Sequence, residues 1–164
     1  MLVFFFKRKT GYELRLSLVG SEICIGDRPL EKPSQFAALI GESQGRRRTE
    51  RPGALFLDRR KRLLRLVFFG QGVSDACFFK PTEVLAEGLA SQARKAVLFH
   101  NHPSGNPRPS AKDLAATAYM RDLLHWAGIE LLDHLILAGA SFRSLRQAAD
   151  LSFGPVRKPT AKLK

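Results

Sequence analysis

Cysteine is scarce in this chain, and its two cysteines lie far apart. Cys24 and Cys77 lack the paired spacing that a structural zinc site with four protein ligands requires. Two widely separated cysteines also suit a reducing compartment better than a disulfide framework. A chain of 164 residues can bury a sufficient core without disulfides. We therefore expect an ordinary globular domain that needs neither disulfides nor a structural zinc ion.

Long apolar runs are also absent. No stretch reaches the ~18 uninterrupted apolar residues that a membrane-spanning helix needs. The opening segment Met1–Phe6 is apolar, but the bases of Lys7–Lys9 follow it and it is shorter than a signal-peptide core. We interpret this segment as a β-strand. These absences predict a cytoplasmic protein without membrane contact.

Acidic residues are outnumbered, with 15 against 27 basic residues and a net charge of +12. Between Arg46 and Arg65 lie nine bases and only two acids, and such density attracts polyanions, above all nucleic acid. The alternative is a solvated loop and hairpin that only keep the protein soluble. The run contains one aromatic residue, Phe56, which the strand pattern places in the core, so base stacking is not indicated. The candidate contacts to nucleic acid or an acidic partner are Arg46, Arg47, Arg48, Arg59, Arg60, Lys61 and Arg62.

Hydrophobic periodicity predicts a layered α/β or α+β fold with a central sheet and helices outside. The predicted elements of the main domain are a helix over 35–40, a hairpin of strands over 53–58 and 63–69, a helix over 81–94, a strand over 95–99, a helix from Ser110 to Gly128, and a strand over 129–137 interrupted at Asp133 and His134. We expect a single domain over residues 1–152, with further strands in 1–32 and its main part in 33–152. The basic tail 153–164 lacks apolar residues, and we expect it to be disordered.

The segment from His100 to Asp113 carries the strongest functional signal. It reads His-Asn-His-Pro-Ser-Gly-Asn-Pro-Arg-Pro-Ser-Ala-Lys-Asp and follows the apolar run Ala96–Phe99. Side chains at i and i+2 of a strand leave the same face, so His100 and His102 should lie side by side. A loop then returns the chain to Asp113. Two imidazoles and one carboxylate suit Zn²⁺ and leave its fourth position for water, as in a catalytic site.

Other interpretations apply to several of these residues. A single histidine beside apolar residues is more often a hydrogen-bonded core residue than a ligand, and we interpret His125 and His134 in that way. Asp113 is also the third residue of a helix whose N-cap is Ser110, a position that favours an acid. Both roles can hold for Asp113. The hydroxyl of Ser110 either caps its helix or faces the water on the metal.

The spacing His-x-His, seven residues, Ser-x-x-Asp resembles the signature of the JAB/MPN metalloprotease superfamily, also called JAMM. The string His-Asn-His-Pro-Ser-Gly resembles more narrowly its bacterial RadC-like branch. Further matches are the segments Gly53–Asp58 and Leu131–Ile136, and the resemblance covers residues 33–152. It implies a cytidine-deaminase-like mixed sheet flanked by helices. It also implies a zinc-dependent hydrolase, with peptide or isopeptide bonds as the expected substrate.

The same resemblance implies roles for individual residues. His100, His102 and Asp113 would be the zinc ligands, and Glu50 would carry a proton from the metal's water to the leaving nitrogen. Glu42 is the substitute for Glu50, whose alternative role is to neutralise the arginine loop. Ser110 would hydrogen-bond the developing oxyanion.

A nucleic-acid-associated factor is the competing functional class, since the RadC-like branch carries a DNA-repair label. It could be a metal-dependent nuclease or an accessory protein of repair or mobile elements. A nuclease usually gathers several carboxylates around its metals, whereas this segment offers one. Residues 1–45 are too short and too strand-like for the helix-hairpin-helix region of many RadC-like proteins. An inactive scaffold is the third option, but such proteins typically lose the ligands, which are all present here.

Overall fold

The computed structural model describes residues 14–16, 23–25, 28–70 and 79–151. The predicted Met1–Phe6 strand and the tail 153–164 lie outside these residues. The elements in chain order are β1 (Leu14–Leu16), β2 (Ile23–Ile25), α1 (Pro33–Ile40), α2 (Glu42–Gly45), β3 (Gly53–Leu57), β4 (Leu63–Phe68), α3 (Pro81–Ala90), β5 (Lys95–Asn101), α4 (Ala111–Trp126), β6 (Glu130–Ala138) and β7 (Ser141–Ser144).

A mixed five-stranded sheet with the order β4-β3-β5-β6-β7 forms the centre of the fold. The neighbours β5 and β6 run parallel, and α4 makes the crossover between them. The other neighbouring strands are antiparallel, including the hairpin of β3 and β4. β1 and β2 form a separate antiparallel pair. The predicted hairpin and mixed α/β class are confirmed.

Helices cover both faces of this sheet. On one face, Val84 of α3 and Met120 and Leu124 of α4 pack in the same buried cluster as Leu98 of β5. On the opposite face, α1 packs against a second buried cluster that contains Phe99 of β5. Neighbouring residues of β5 therefore belong to opposite layers, as the alternation of side chains in a strand requires.

One helix boundary differs from the sequence prediction. α3 was predicted to extend to Arg94 but ends at Ala90. Gln92 has a left-handed backbone with a φ of 55°, and the N–H of Ala93 closes the turn on the carbonyl of Gly88. The freed N–H of Arg94 then donates to the carbonyl of Leu57 at 2.9 Å, so the chain joins the sheet earlier.

Among the described residues, no helix is both long and apolar enough to cross a bilayer.

β6 also differs from its prediction, because it is not interrupted at Asp133 and His134. Instead, its register against β5 shifts at Leu132: Ala96 pairs with Leu131, but Val97 pairs with Asp133. An extra residue of this kind is a β-bulge, and it reverses which face the following side chains take. The shift places His134 on the α4 face of the sheet.

Candidate metal centre

The three predicted metal ligands meet where β5 ends and α4 begins. His100 is the second-last residue of β5, and His102 follows just after the strand. Both imidazoles point toward α4, whose first turn carries Asp113. His100 and Asp113 are buried and His102 is half-buried, and one ligand atom from each lies within 4.8 Å of the others. This group could hold a metal ion.

The separations of the ligand atoms match the edges of a metal coordination shell. The Nε2 atoms of His100 and His102 are 3.0 Å apart. Nε2 of His100 lies 3.3 Å from Oδ1 of Asp113, and Nε2 of His102 lies 3.4 Å from Oδ2. Tetrahedral zinc with bonds of about 2.0–2.1 Å separates its ligand atoms by about 3.3–3.4 Å. Each imidazole nitrogen thus lies near a different oxygen of the same carboxylate, and one atom from each of the three residues lies close enough to share a metal ion.

The chemistry of the donor atoms also fits a cation. Nδ1 of His102 lies 2.9 Å from the carbonyl of Asn106, which can only accept, so Nδ1 carries the hydrogen. In the neutral ring, Nε2 then presents a lone pair to the site. Oδ1 of Asp113 is buried and accepts no hydrogen bond from the described residues. A buried carboxylate oxygen without a partner is costly, and a bound cation would satisfy it.

Asp113 is held as a carboxylate. Burial acts to raise its pKa, but the adjacent imidazole of His100 and the hydrogen bonds from the hydroxyl and N–H of Ser110 outweigh burial and lower the pKa well below 3.8. The ligand is therefore already ionised at neutral pH. Metal binding does not have to displace its proton.

Ser110 is the N-cap of α4 and touches the metal ligand directly. The hydroxyl and the backbone N–H of Ser110 each donate to Oδ2 of Asp113 at 2.7 Å. In return, the N–H of Asp113 donates to Oγ of Ser110 at 3.1 Å, which completes a capping box. Of the two roles that the sequence left open, the structure contains the capping contact. The oxyanion contact stays a prediction.

A second layer of buried side chains stands behind His100. Its Nδ1 lies 2.8 Å from Nε2 of His134, and Nδ1 of His134 lies 2.5 Å from Oγ1 of Thr117. Burial lowers the pKa of His134 well below 6.5, so this ring is neutral. Of the two expected core histidines, His134 is buried and hydrogen-bonded, but its partner is a predicted ligand. The prediction was wrong for His125, which lies exposed near the end of α4. Thr117 was not predicted, and the available signal was its position four residues after Asp113 on α4.

Asn101 holds the loop that carries the predicted proton carrier Glu50. Its side-chain nitrogen donates to the carbonyls of Arg47 at 3.3 Å and Thr49 at 3.1 Å. Its side-chain oxygen accepts from the N–H of Arg51 at 2.8 Å. No role was predicted for Asn101, although it stands between the two histidines.

Glu50 itself is half-buried and forms no hydrogen bond or ion pair with the described part of the chain. β3 and β5 are antiparallel and pair Gly53 with Phe99, and counting on in this register places position 50 opposite position 102. The substitute Glu42 lies on α2 and pairs with Arg46 at 3.2 Å. Of the two acids, Glu50 is the one without a partner among the described residues.

Gly45 fixes the start of this loop. The N–H of Gly139, just after β6, donates to the carbonyl of Gly45 at 2.8 Å. A Cβ atom on Gly45 would lie 2.2 Å from the carbonyl oxygen of Gly139, so a larger residue does not fit. The loop is therefore anchored at Gly45 and again at Asn101.

The predicted basic residues lie at opposite ends of β3. Arg46, Arg47 and Arg48 lie in the loop before β3, whereas Arg59, Arg60 and Lys61 lie in the turn after it. A five-residue strand separates the two groups by about 17 Å. The second group is also more neutralised, because Lys61 pairs with Glu31 and Arg62 pairs with Asp58 at 2.7 Å.

In the loop before β3, Arg51 adds a further positive charge to the group Arg46, Arg47 and Arg48. Burial, and then the like charge of Arg47, lower the pKa of Arg51. The guanidinium of Arg51 lies 4.7 Å from the centre of the Phe68 ring. Arg46, Arg47 and Arg48 are exposed. This concentration of positive charge lies in the loop that Asn101 ties to the end of β5.

The family profile described as "RadC-like JAB domain" matches residues 30–150. A UPF0758 protein of Cyanothece sp. is 35% identical over 122 residues, which are 74% of this chain and 50% of that protein. Relatives of the same name are 36% identical over 120 residues in Syntrophotalea carbinolica, covering 73% of this chain and 52% of that protein, and 34% identical over 129 residues in Microcystis aeruginosa, covering 76% and 53%. The chain spans about half the length of these curated relatives. Their names state no activity.

Proposed function

The chain belongs to the RadC-like JAB domain family, and we propose that it is a zinc-dependent hydrolase that cleaves peptide or isopeptide bonds. The observation that carries this proposal is the geometry of His100, His102 and Asp113. The two imidazole nitrogens lie 3.0 Å apart and each lies 3.3–3.4 Å from an oxygen of Asp113, and this ionised carboxylate contributes an oxygen that accepts no hydrogen bond from the described residues.

Zinc is the metal that this donor set favours. Imidazole nitrogens suit zinc better than calcium or magnesium, which prefer oxygen ligands. Three protein ligands with an open position are typical of catalytic zinc sites, whereas structural sites have four protein ligands. A zinc ion bound here would lower the pKa of its water to about 7 and polarise a carbonyl oxygen.

Glu50 is the proposed proton carrier. Its carboxylate has no other partner among the described residues, and Asn101 fixes the backbone on both sides of it. Such a carboxylate can take a proton from the attacking water and release it to the leaving nitrogen. Amide hydrolysis needs this transfer because an amine leaves readily only after protonation.

Ser110 is the proposed donor to the oxyanion. Its hydroxyl now donates to Oδ2 of Asp113, so it borders the ligand set. A rotation about its χ1 would let the hydroxyl donate to a tetrahedral intermediate instead. Such a contact contributes about 3 kcal/mol in the transition state of acyl transfer.

The proposal is tested by incubating the metal-free and zinc-loaded protein with a peptide mixture prepared from a proteome digest. Mass spectrometry should detect new amide-cleavage products only with the zinc-loaded parent. The matched controls are zinc-treated His102→Ala, which lacks a ligand, and His125→Ala, which lacks an exposed histidine away from the site. Cleavage by His102→Ala at the parent rate would contradict a role for this metal centre.

A second candidate function is binding to nucleic acid, as a DNA-repair or mobile-element accessory protein. The observation that favours it is the exposed group Arg46, Arg47 and Arg48 in the loop beside Glu50. Phosphates and acidic peptides both carry the negative charge that this loop would attract. We favour an acidic peptide or protein, because the site offers a single carboxylate ligand and its chemistry suits amides.

A further inference from the structure

We infer that Thr117 and His134 determine which ring nitrogen of His100 carries its hydrogen, and that they thereby keep Nε2 of His100 open to a metal ion. The inference rests on the proposed metal binding and assigns both residues as positioning residues. Neither touches the metal position, and both act through His100. Three hydrogen bonds, which start at the backbone of Asp113, connect Thr117 and His134 to His100.

The first bond fixes the hydroxyl of Thr117. Oγ1 of Thr117 donates to the carbonyl of Asp113, one turn earlier on α4, at 2.6 Å. A carbonyl oxygen can only accept, so the single hydroxyl hydrogen is used in this bond. Oγ1 therefore turns a lone pair toward Nδ1 of His134, which lies 2.5 Å away. That nitrogen must carry the hydrogen of the His134 ring.

The second ring follows from the first. With its hydrogen on Nδ1, neutral His134 presents a lone pair at Nε2. Nδ1 of His100 lies 2.8 Å from this lone pair and must be the donor. The hydrogen of His100 is thereby placed on Nδ1, and its Nε2 faces Asp113 and His102 as a lone pair. A ring with the opposite tautomer would direct an N–H at the position of the metal.

Burial protects this arrangement from solvent. His100, His134 and Thr117 each have a solvent exposure of 0%, so no bulk water competes for their hydrogen bonds. The series of hydrogen bonds begins at the carbonyl of Asp113 and ends at His100, whose Nε2 lies 3.3 Å from Oδ1 of Asp113. One turn of α4 therefore supplies a metal ligand and also specifies the tautomer of a second ligand. His102 obtains the same tautomer from the carbonyl of Asn106.

The bulge at Leu132 is required for the hydrogen-bond relay that runs from Thr117 through His134 to His100. Without the extra residue, His134 would leave the opposite face of β6 and could not reach His100 or Thr117. His134 also packs edge-on against Phe79, with ring centres 5.4 Å apart. These contacts hold the ring in one orientation.

Thr117→Val tests the inference, because valine keeps the shape of threonine and removes its hydroxyl. Two-bond ¹H–¹⁵N spectra of the metal-free parent should show His100 protonated on Nδ1. In Thr117→Val, His134 loses its acceptor, and a fraction of His100 should shift to the tautomer protonated on Nε2. The dissociation constant for zinc, measured by chelator competition, should rise by about 10–100-fold, as expected when a partner of a metal-ligating histidine is lost.

Two variants serve as controls. Thr117→Ser restores the hydroxyl and should restore both the parent tautomer and the parent affinity. Ser144→Ala removes another buried hydroxyl, one that donates to Asp133 and touches no ligand, and should leave both readouts unchanged. If Thr117→Val fails to fold, His134→Gln and His134→Leu make the same comparison. The glutamine oxygen can accept from His100, so His134→Gln should bind zinc at least about 10-fold more tightly than His134→Leu.

A parent protein with His100 protonated on Nε2 would overturn the inference. So would equal zinc affinities and tautomers in Thr117→Val and Ser144→Ala, or equal affinities in the two His134 variants. None of these measurements depends on peptide cleavage. A protein that shows the relay and cleaves no peptide would contradict the proposed function and leave this inference intact.

Discussion

The side-chain oxygen of Asn101 accepts a hydrogen bond from the backbone N–H of Arg51 at 2.8 Å. Asn101 follows His100 directly in β5, so its side chain leaves the opposite side of the strand from the metal ligand. The strand end that presents the two histidines therefore also fixes the loop that carries Glu50. This link couples the metal ligands to the proposed proton carrier across fifty residues of sequence.

Asn101→Ala should separate metal binding from turnover. The loop loses three hydrogen bonds, and a displacement of about 1 Å in a catalytic group can reduce turnover about 10²-fold. The ligand atoms are unaffected, so zinc content should match the parent. Peptide cleavage rates and elemental analysis of the same sample test this. Parent-like cleavage would show that Asn101 does not position the loop.

Glu50→Gln should reduce cleavage by about 10²–10⁴-fold, because the amide cannot carry a proton. Zinc stoichiometry should not change, since the three ligands remain. Glu42→Gln is the matched control and should cleave at the parent rate, because Glu42 is occupied by Arg46. The reverse result, with Glu42→Gln inactive and Glu50→Gln active, would transfer the proton carrier to α2.

The metal-free protein should lose stability as the pH falls below about 6.5. The pKa of buried His134 is lowered in the folded state, so below about 6.5 the unfolded chain binds a proton that the folded chain excludes. The free energy of unfolding should then fall by up to about 1.4 kcal/mol per pH unit until the pKa of the folded state is reached. Urea unfolding of the parent and His134→Gln across this range isolates the contribution. Parallel pH curves for the two proteins would be inconsistent with the lowered pKa.

The arginine loop should guide an acidic peptide to the site. Changing Arg46, Arg47 and Arg48 together to glutamine should lower kcat/KM for acidic peptides at low salt and leave neutral peptides unaffected. The same change at Arg59, Arg60 and Arg62, at the far end of β3, is the control and should have little effect. We expect negligible DNA binding in all three proteins. Salt-dependent DNA binding whose slope flattens by about 2–3 in the first variant would favour the nucleic-acid function instead.

The parts of the fold that were predicted correctly depend on local signals. The alternation of strands and the charged turn between β3 and β4 gave the hairpin, and Ser110 and Gly128 bracketed α4. The predicted end of α3 was wrong because the observed end depends on the hydrogen bond from Arg94 to Leu57 in the sheet. These two residues are far apart in sequence. The register shift in β6 was missed for the same reason, since only the pairing with β5 defines it.

The cluster of His100, His102 and Asp113 was predictable because its geometry is local. His100 and His102 are two residues apart where β5 ends and so project to the same side, and Asp113 is placed by the start of a helix. The contacts around them are not local. His134 reaches His100 only because of a one-residue bulge, and Asn101 meets a loop fifty residues away, so neither role follows from spacing.

The basic residues are obvious in the sequence, but their arrangement in space does not follow from it. A run that is continuous in sequence from Arg46 to Arg65 is divided in space, because β3 occupies its middle. The density of basic residues along the sequence therefore predicted positive charge, but not how that charge is distributed over the surface. The loop before β3 remains the part that lies beside Glu50.

The central claim is that His100, His102 and Asp113 hold a zinc ion, and an anomalous difference map at the zinc absorption edge tests it most directly. Crystals of the parent grown with zinc should show one peak about 2.0–2.2 Å from Nε2 of His100, Nε2 of His102 and a carboxylate oxygen of Asp113. Crystals of His102→Ala grown in the same way should lose this peak. An empty cluster in zinc-treated parent crystals, or a peak only at other residues, would contradict the account.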